Sequence, residues 1–413
     1  MGQYLNHLDG LPTAGQWAYA RRMIFADPLP FFAELRAERP ILALPEGTLA
    51  FRHADCTLVL RRHDVFGVDL YEPKQGGYFM AQDDTATHWR DKSVMKAILD
   101  VEDIPKMRAW IGDATNQALD HAGGAIELVR AVSRGIPVRL VQDWFGFSHS
   151  DPDKLIEWSF WNQQDAFWNQ PFDAVVSGIN QEDIIAKRKR ANVMMGLYLA
   201  RLILRRSVAV KFGSDAQDPV SRLLRLSFSD ATKFGLRDVI FNVGGLLIGA
   251  VETTSHTVVN ALTVLAADPD RLAAAVAAAN SDDPGFDGNV FEALRFRPAF
   301  PYFFRLCHRD TELGGGTPHA TTVRAGTTVL AVTHSAMFDP AGFADPARFD
   351  PARDLGDAFT FGQGLHECLG RHIARVMVPE IVRQVLRRGQ LRFGSGPDFQ
   401  GTAVPQSWSL QYA

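Results

Sequence analysis

The chain has 413 residues, of which 46% are hydrophobic and 22% charged, a balance that excludes a mostly disordered protein. Its net charge of −4 gives no excess of basic residues that would indicate a nucleic-acid partner. Three cysteines are too few for a disulfide framework, and the N-terminus lacks a signal-peptide pattern, so the sequence predicts a cytoplasmic location.

In chain order, residues 1–27 are predicted to be an N-terminal extension and 28–413 a single domain, because no repeat or linker divides the chain. Residues 28–37 predict a first helix, and 41–44 with 48–52 predict a hairpin around Pro45-Glu46-Gly47. Helical patterns follow at 53–63, 85–99, 104–121, 138–145, 153–167, 182–206 and 219–226.

Residues 236–267 predict one long apolar helix with glycines at 244, 245 and 249, which indicate that another group approaches its backbone closely. Its most apolar part, 239–251, is shorter than the roughly 20 residues of a membrane span, so no span is predicted. Later elements are helices at 271–279, 287–296 and 369–388 and strands at 321–323, 328–332 and 390–393. The predicted fold class is mostly α with a minor β region.

The segment 361–370, FGQGLHECLG, places one thiol, Cys368, in a glycine-hinged loop at the start of a long helix. Backbone N–H groups and the helix dipole there favour a thiolate, which can ligate iron. Gly370 leaves room for a flat group against the first turn. Two alternatives remain open from the residues alone: a buried structural cysteine, and a zinc site with His366 and His372, which lacks paired spacing and a fourth ligand.

The same segment resembles the haem-ligand loop of the cytochrome P450 family, Phe-Gly-x-Gly-x-His-x-Cys-x-Gly, at every fixed position. The resemblance implies a single-domain cytochrome P450 fold with haem b as cofactor. It makes Cys368 the axial ligand of the haem iron. It also places Phe361, Gly362, His366 and Gly370 around the cofactor.

Two further segments extend the resemblance. Glu292-Ala293-Leu294-Arg295 is similar to the family's Glu-x-x-Arg, and Pro346-Ala347-Arg348-Phe349 is similar to the segment that donates the third member of that charge network. Gly249-Ala250-Val251-Glu252-Thr253-Thr254 is similar to the family's distal-helix pattern, which implies catalytic roles for Glu252 and Thr253. Thr253 is also spaced to donate a hydrogen bond to the carbonyl of Gly249.

Cofactor and substrate contacts follow from the resemblance. Haem propionates are expected to meet His88, Lys92 (where the family has arginine), Arg305 and His366. Substrate is expected to contact a segment rich in aromatic residues and one face of the long helix. The predicted substrate-binding residues are Val243, Leu247, Ala250, Phe300, Tyr302, Phe303 and Phe304.

The implied function is a monooxygenase that inserts one atom of O2 into a small apolar substrate, either terpenoid, aromatic or fatty. The length leaves no room for a reductase domain, so NAD(P)H electrons are expected to arrive through a separate ferredoxin reductase and ferredoxin. The ferredoxin would dock on a basic patch of Lys96, Arg371 and Arg375, and the protein is predicted to be a monomer. The alternatives are a peroxide-driven peroxygenase and a non-catalytic haem-thiolate sensor.

Overall fold

The structure is a computed structural model that describes residues 2–99, 101–173, 180–229, 233–281 and 285–413. The helices are α1 Gln3–Asp9, α2 Thr13–Ala26, α3 Pro28–Glu38, α4 His53–Arg61, α5 Glu72–Gln75, α6 Ala86–Ile98, α7 Ile104–Ala122, α8 Gly135–Asp143, α9 Pro152–Trp168, α10 Gln181–Lys211, α11 Pro219–Ser227, α12 Leu236–Ala250, α13 Glu252–Ala266, α14 Pro269–Asn280, α15 Phe286–Phe296, α16 Thr333–Ala336 and α17 Arg371–Leu386. The strands are β1 Ile41–Leu44, β2 Gly47–Ala50, β3 Phe66–Gly67, β4 Ala125–Glu127, β5 Phe303–Cys307, β6 Thr311–Leu313, β7 Thr321–Val323, β8 Thr328–Ala331, β9 Arg392–Phe393 and β10 Ser409–Gln411.

The strands form small sheets beside a helical body. The largest sheet has the order β1-β2-β8-β5-β3, in which β2 and β8 are parallel and the other neighbours antiparallel. The predicted hairpin is its edge, with Ile41 opposite Ala50 and Leu44 opposite Gly47. The structure is 59% helical, which confirms the prediction of a mostly α fold with a minor β region.

The main apolar core lies among the long helices. α17 packs against α7, α13 and α15, and α10 packs against α9, α11 and α12. The buried side chains between them are aliphatic and aromatic and form one continuous cluster. This packing fixes α12, α13 and the start of α17, the elements that carry the residues of interest, relative to one another.

Residues 1–27 contain α1 and α2, which the sequence did not predict as helices. Leu5, Leu8 and Trp17 from these helices are buried in a second apolar cluster with Phe31 of α3 and Phe304 of β5. The boundary between an extension and the main domain at residue 28 stays a prediction.

The long helix predicted over 236–267 is interrupted. α12 ends at Ala250 and α13 begins at Glu252, with Val251 between them at φ −86° and ψ −67°. The predicted single helix is therefore corrected to two helices joined at Val251. The interruption occurs where Thr253 donates its hydroxyl hydrogen to the carbonyl of Gly249, a side-chain bond that competes with the regular backbone pattern.

Candidate active site

A cavity of about 300 Å³ lies at the junction of α12 and α13 and extends to the loop that precedes α17. Its wall includes Leu246, Ala250 and Thr253 from the helices and Cys368 from the loop. Phe300 and Phe303 line it as well. The structure thus brings the predicted metal ligand and the predicted catalytic threonine to one largely apolar cavity.

The loop holding Cys368 is folded tightly by two glycines. Gly362 and Gly364 have φ values of +67° and +73°, which side chains rarely adopt. At Gly364 a Cβ would lie 2.5 Å from the carbonyl oxygen of Leu60, so the loop also needs this glycine to approach α4. The backbone N–H of Cys368 donates to the carbonyl of Phe361 at 2.9 Å, which closes the loop.

The thiol of Cys368 faces opposing influences. Burial raises its pKa and the nearby Glu367 adds to the rise, whereas a hydrogen bond from the Gly370 backbone and the charges of Lys92 and Arg371 act in the opposite direction. The net effect is a raised pKa. The expectation that the helix N-terminus favours the thiolate stays a prediction.

Neither alternative reading of Cys368 finds support in the geometry. Cys368 lies inside the protein but is exposed to the space of the cavity that it lines, whereas Cys56 and Cys307 are packed in an apolar cluster, so Cys368 is not a structural core thiol. Within the described ranges, the potential metal ligands that meet are Asp69, Asp83 and His308, which form a different group and do not include Cys368. A zinc site made with His366 and His372 is therefore not assembled.

The four predicted propionate partners lie close together beside the cavity. Arg305 and His366 line it, and the ring of His88 contacts that of His366 with 5.1 Å between centroids. Lys92 donates to the carbonyl of Leu365, next to His366. Burial lowers the pKa of Lys92 to about 8 and that of His366 to about 2. Thr85 caps α6 by accepting from the backbone N–H of His88 at 3.0 Å, which fixes this residue's position.

Glu252 is buried and bound to an arginine that sequence reasoning missed. Arg134 Nε lies 2.9 Å from Glu252 Oε1, and its Nη2 donates at 3.0 Å to Oε2 of the same carboxylate. Arg134 is held in turn by the carbonyl of Pro405 at 3.1 Å and the side-chain oxygen of Gln406 at 3.2 Å. Burial raises the pKa of Glu252, while Arg134 acts to lower it. No local spacing connects these residues, since Arg134 lies 118 positions from Glu252.

Gln163 and Ser159 of α9 also escaped prediction. Gln163 Nε2 donates to the carbonyl of Ile248 at 2.8 Å, and the Ser159 hydroxyl donates to the same oxygen at 3.4 Å. Gln163 lines the cavity as well. These bonds, with that from Thr253 to Gly249, satisfy backbone carbonyls at the end of α12, where the regular helical pattern stops.

Four of the predicted substrate residues do not line the cavity. Val243 and Leu247 are buried in the core, and the wall face of α12 carries Leu246, Gly249 and Ala250 instead. On β5, Phe303 and Arg305 line the cavity, whereas Phe304, which alternates with them, is buried in the second apolar cluster behind the cavity residue Tyr71, on which it stacks. Tyr302 packs beside Trp17 in the second apolar cluster. The corrected wall retains Ala250, Phe300 and Phe303.

The Glu-x-x-Arg segment forms a fully buried charge network. Arg295 makes two hydrogen bonds to Glu292, at 2.7 and 2.9 Å, and its Nη1 donates to the carbonyl of Met337 at 3.0 Å. The third charged member is Arg353, whose Nε donates to Glu292 at 3.1 Å. The predicted third member is corrected, because Arg348 contributes its backbone carbonyl while its side chain lies exposed beside Asp350.

Comparisons of the sequence with known proteins agree with this fold and site. Residues 286–400 match the family model described as Cytochrome P450. The chain is 27% identical to the cytochrome P450 monooxygenase PikC of Streptomyces venezuelae, over 93% of this chain and 91% of the relative. It is also 27% identical to the erythromycin C-12 hydroxylase of Saccharopolyspora erythraea, over 87% of this chain and 86% of the relative.

Solved structures give the same result for the fold. The cytochrome P450 CYP109Q5 of Chondromyces apiculatus superposes with a TM-score of 0.77 at 22% identity, covering 95% of this chain and 96% of that one. The chain belongs to the cytochrome P450 family. The resemblance inferred from the Cys368 loop is confirmed, and the protein is an enzyme of the cytochrome P450 monooxygenase type. Along the described ranges, no helix combines the length and apolar character needed to cross a membrane.

The residues around the cavity fit the haem group that the P450 family implies. Gly249 has no neighbouring atom where a Cβ would stand, and Gly370 has only Cys368 Sγ at 4.0 Å, so both leave space for a flat ring. Both ring nitrogens of His366 and Nε2 of His88 are buried without a hydrogen-bond partner in the described chain. Together with Arg305 and Lys92, they suit the two carboxylates of haem at the edge of an apolar site.

We expect Glu292→Gln to destabilise this P450 by about 3–5 kcal/mol, because it leaves Arg295 and Arg353 buried without their shared counter-charge. Chemical denaturation monitored by circular dichroism would measure the loss. The matched control is Arg348→Ala, which removes an exposed side chain and should change the free energy of unfolding by less than about 1 kcal/mol. Equal losses in the two variants would contradict the assigned network.

Proposed function

We propose that this P450 inserts one atom of O2 into an apolar organic substrate held in the cavity that Thr253 and Cys368 line. The proposal rests on one observation: a threonine beside an interrupted helix and an accessible thiol line the same apolar cavity. Cys368 would hold the haem iron, and Phe361, Gly362 and Gly370 would shape the loop around it. His88, Lys92, Arg305 and His366 would hold the haem carboxylates.

When bound, haem would supply the oxidising chemistry, drawing on O2 and two electrons. The protein would supply protons and exclude water. Thr253 would hold a proton donor at the cavity wall, and Glu252 would carry protons inward from the side of Arg134. Gln163 and Ser159 would keep the junction of α12 and α13 open by binding the Ile248 carbonyl.

The substrate would be a small apolar molecule of the terpenoid, aromatic or fatty class. Phe167, Phe300 and Phe303 supply aromatic surface, and Leu246 and Ala250 supply aliphatic surface. Large apolar sites with few polar groups select ligands by shape and hydrophobic contact. Relatives that carry the name steroid C26-monooxygenase support an apolar, polycyclic candidate among these classes. Titration with a panel of such ligands, read by the haem spin-state shift, tests this part, and tight binding of polar compounds alone would reject it.

Electrons would reach the enzyme from NAD(P)H through a ferredoxin reductase and a ferredoxin. The docking face would lie on the other side of the Cys368 loop, where a depression of about 700 Å³ is lined by four arginines and two acidic residues: Arg61, Arg353, Arg371, Arg375, Asp287 and Glu367. Arg371 is paired with Glu367, whereas Arg375 is exposed and packs on the Phe361 ring at 5.9 Å. Lys96 is exposed on α6. A cytoplasmic location and a monomeric state complete the proposal.

We expect Arg375→Glu to slow reduction by ferredoxin by about tenfold and to flatten the dependence of that rate on salt, because an attractive charge becomes repulsive. Stopped-flow reduction at several ionic strengths is the measurement. Lys189→Glu, an exposed reversal on α10, is the matched control and should leave the rate unchanged. A wild-type rate and salt slope in Arg375→Glu would reject the docking face.

The decisive experiment reconstitutes the haem-loaded enzyme with a surrogate ferredoxin, its reductase, NADPH and a spin-shifting ligand. A monooxygenase consumes NADPH in a substrate-dependent manner and yields a product that carries one atom from ¹⁸O2. Product formed with hydrogen peroxide but not with NADPH would identify a peroxygenase. Ligand binding without product in either assay would identify a sensor.

A further inference from the structure

Helix α10 carries an apolar stripe on its outward face. Val193, Leu197, Leu204, Val208 and Phe212, which directly follows the helix, are 63, 51, 69, 50 and 87% exposed. Their spacings of four, seven, four and four residues place them on one side of the helix. These five residues, called here the α10 stripe, extend over about 28 Å at 1.5 Å per residue.

The stripe is not needed to hold α10 on the protein. The inward face buries Met195, Leu199, Leu202 and Ile203, which join the main core. α10 packs through this face against α9, α11 and α12. Because the helix is already anchored, a second apolar face in water has no role in the folded chain alone and indicates an interaction surface.

Basic side chains flank the α10 stripe. Six exposed ones occur on the helix: Lys187, which pairs with Asp183, and Lys189, Arg190, Arg201, Arg205 and Lys211. Across the described ranges, Lys189, Arg190 and Arg201 have no carboxylate within ion-pair distance. By contrast, the two inward arginines are paired, Arg188 with Asp165 at 2.8 Å and Arg206 with Asp218 at 3.6 Å.

The charge on this helix is unusual for the chain. α10 contains eight lysines and arginines and only Glu182 and Asp183 as acids, whereas the whole protein has a net charge of −4. Near its end, Lys211 lies over the ring of Phe228 at 5.1 Å, and Phe228 is itself partly exposed. Positive charge and exposed apolar surface are therefore concentrated on the same face.

We propose that the α10 stripe and its flanking basic residues dock on an anionic lipid surface, with α10 lying in the plane of the headgroups. A surface helix with an exposed apolar stripe between basic side chains has the form of an interfacial helix, in which apolar residues enter the boundary and cations meet lipid phosphates. A second copy of this chain would bring the same positive face against itself. An uncharged bilayer would leave the unpaired cations without partners.

The test uses the full-length, haem-loaded enzyme in flotation with vesicles of phosphatidylcholine alone or mixed with phosphatidylserine. We expect binding only to the mixed vesicles and its weakening as salt is raised. The double variants Leu204→Ser with Phe212→Ser, and Arg190→Glu with Arg201→Glu, should each weaken binding by about tenfold or more. Wild-type haem spectra in the variants would establish that they are folded.

Matched controls lie on other elements. Val101→Ser removes an exposed apolar side chain, and Lys106→Glu reverses an exposed charge on α7, so both should bind vesicles as the wild type does. Failure of the wild type to float with anionic vesicles overturns the proposal, as does undiminished binding by both double variants. Dimerisation in sedimentation experiments that is lost in Leu204→Ser with Phe212→Ser would assign the face to a second copy, and capture of an acidic protein without vesicle binding would assign it to a protein partner.

Discussion

Replacing Cys368 with serine should remove the thiolate signature from the ferrous–CO spectrum and abolish oxygenated product. The reason is geometric, because the wall of the cavity shared with Thr253 contains the sulfur of Cys368 and not those of Cys56 or Cys307. A serine hydroxyl keeps the size of the side chain but is a poor donor of electron density to iron. Absorbance spectroscopy of the reduced, CO-treated protein, together with product analysis, measures both losses.

Cys307→Ser is the matched control. Cys307 is buried on β5, where its thiol donates to the carbonyl of Arg309 at 3.0 Å, a bond that serine can also make. The variant should keep the wild-type spectrum and turnover. If Cys368→Ser retained the thiolate signature, another residue would have to be the axial ligand.

The parts of the site that sequence reasoning located correctly are those encoded by short spacing. Glu292 and Arg295 are one helical turn apart, and so are Gly249 and Thr253, so local geometry brings each pair together whatever surrounds it. The conformation of the loop around Cys368 also depends on residues close in sequence, because its two glycines in the left-handed region permit the turn. These motifs could be read from the chain without knowledge of its packing.

The parts that were missed depend on contacts between distant segments. Arg134 reaches Glu252 from 118 positions away, and Arg353 reaches Glu292 from 61 positions away. No periodicity encodes such partners, because the residues of each pair meet only through the packing of distant segments. Both become evident only when the helices are packed and the carboxylates prove to be buried.

The prediction of the substrate-binding residues was partly wrong for a different reason. The sequence does not predict β5 and groups residues 300–304 together, whereas the neighbouring residues Phe303 and Phe304 of this strand face opposite sides. On α12 the face that meets the cavity differs from the predicted one. Val243 and Leu247 are buried in the core, whereas Leu246 and Ala250 line the cavity. A helix that is apolar on all sides gives no internal sign of which face meets a ligand.

Thr253→Ala should keep haem and substrate binding yet divert electrons from product to hydrogen peroxide. Thr253 lines the cavity and bonds the Gly249 carbonyl beside the interruption of the helix, so its hydroxyl is placed to direct a proton toward oxygen. The ratio of product to NADPH consumed, measured with peroxide release, is the readout. Thr263→Ala, which loses a similar bond to Val259 at 2.7 Å and lies outside the cavity wall, is the control and should stay coupled.

Glu252→Gln should produce a different defect. Glu252 is buried against Arg134, and its side chain diverges by about 100° from that of Thr253, the next residue of α13. Its proposed task is therefore to supply protons rather than to position them. Loss of such acid–base assistance typically costs about 10²–10⁴-fold in rate, and the solvent isotope effect on turnover should rise because proton delivery becomes limiting. Arg134 would hold the carboxylate ready, anchored by Pro405 and Gln406. Full coupling in Thr253→Ala would refute the role of Thr253, and an unchanged rate and isotope effect in Glu252→Gln would refute that of Glu252.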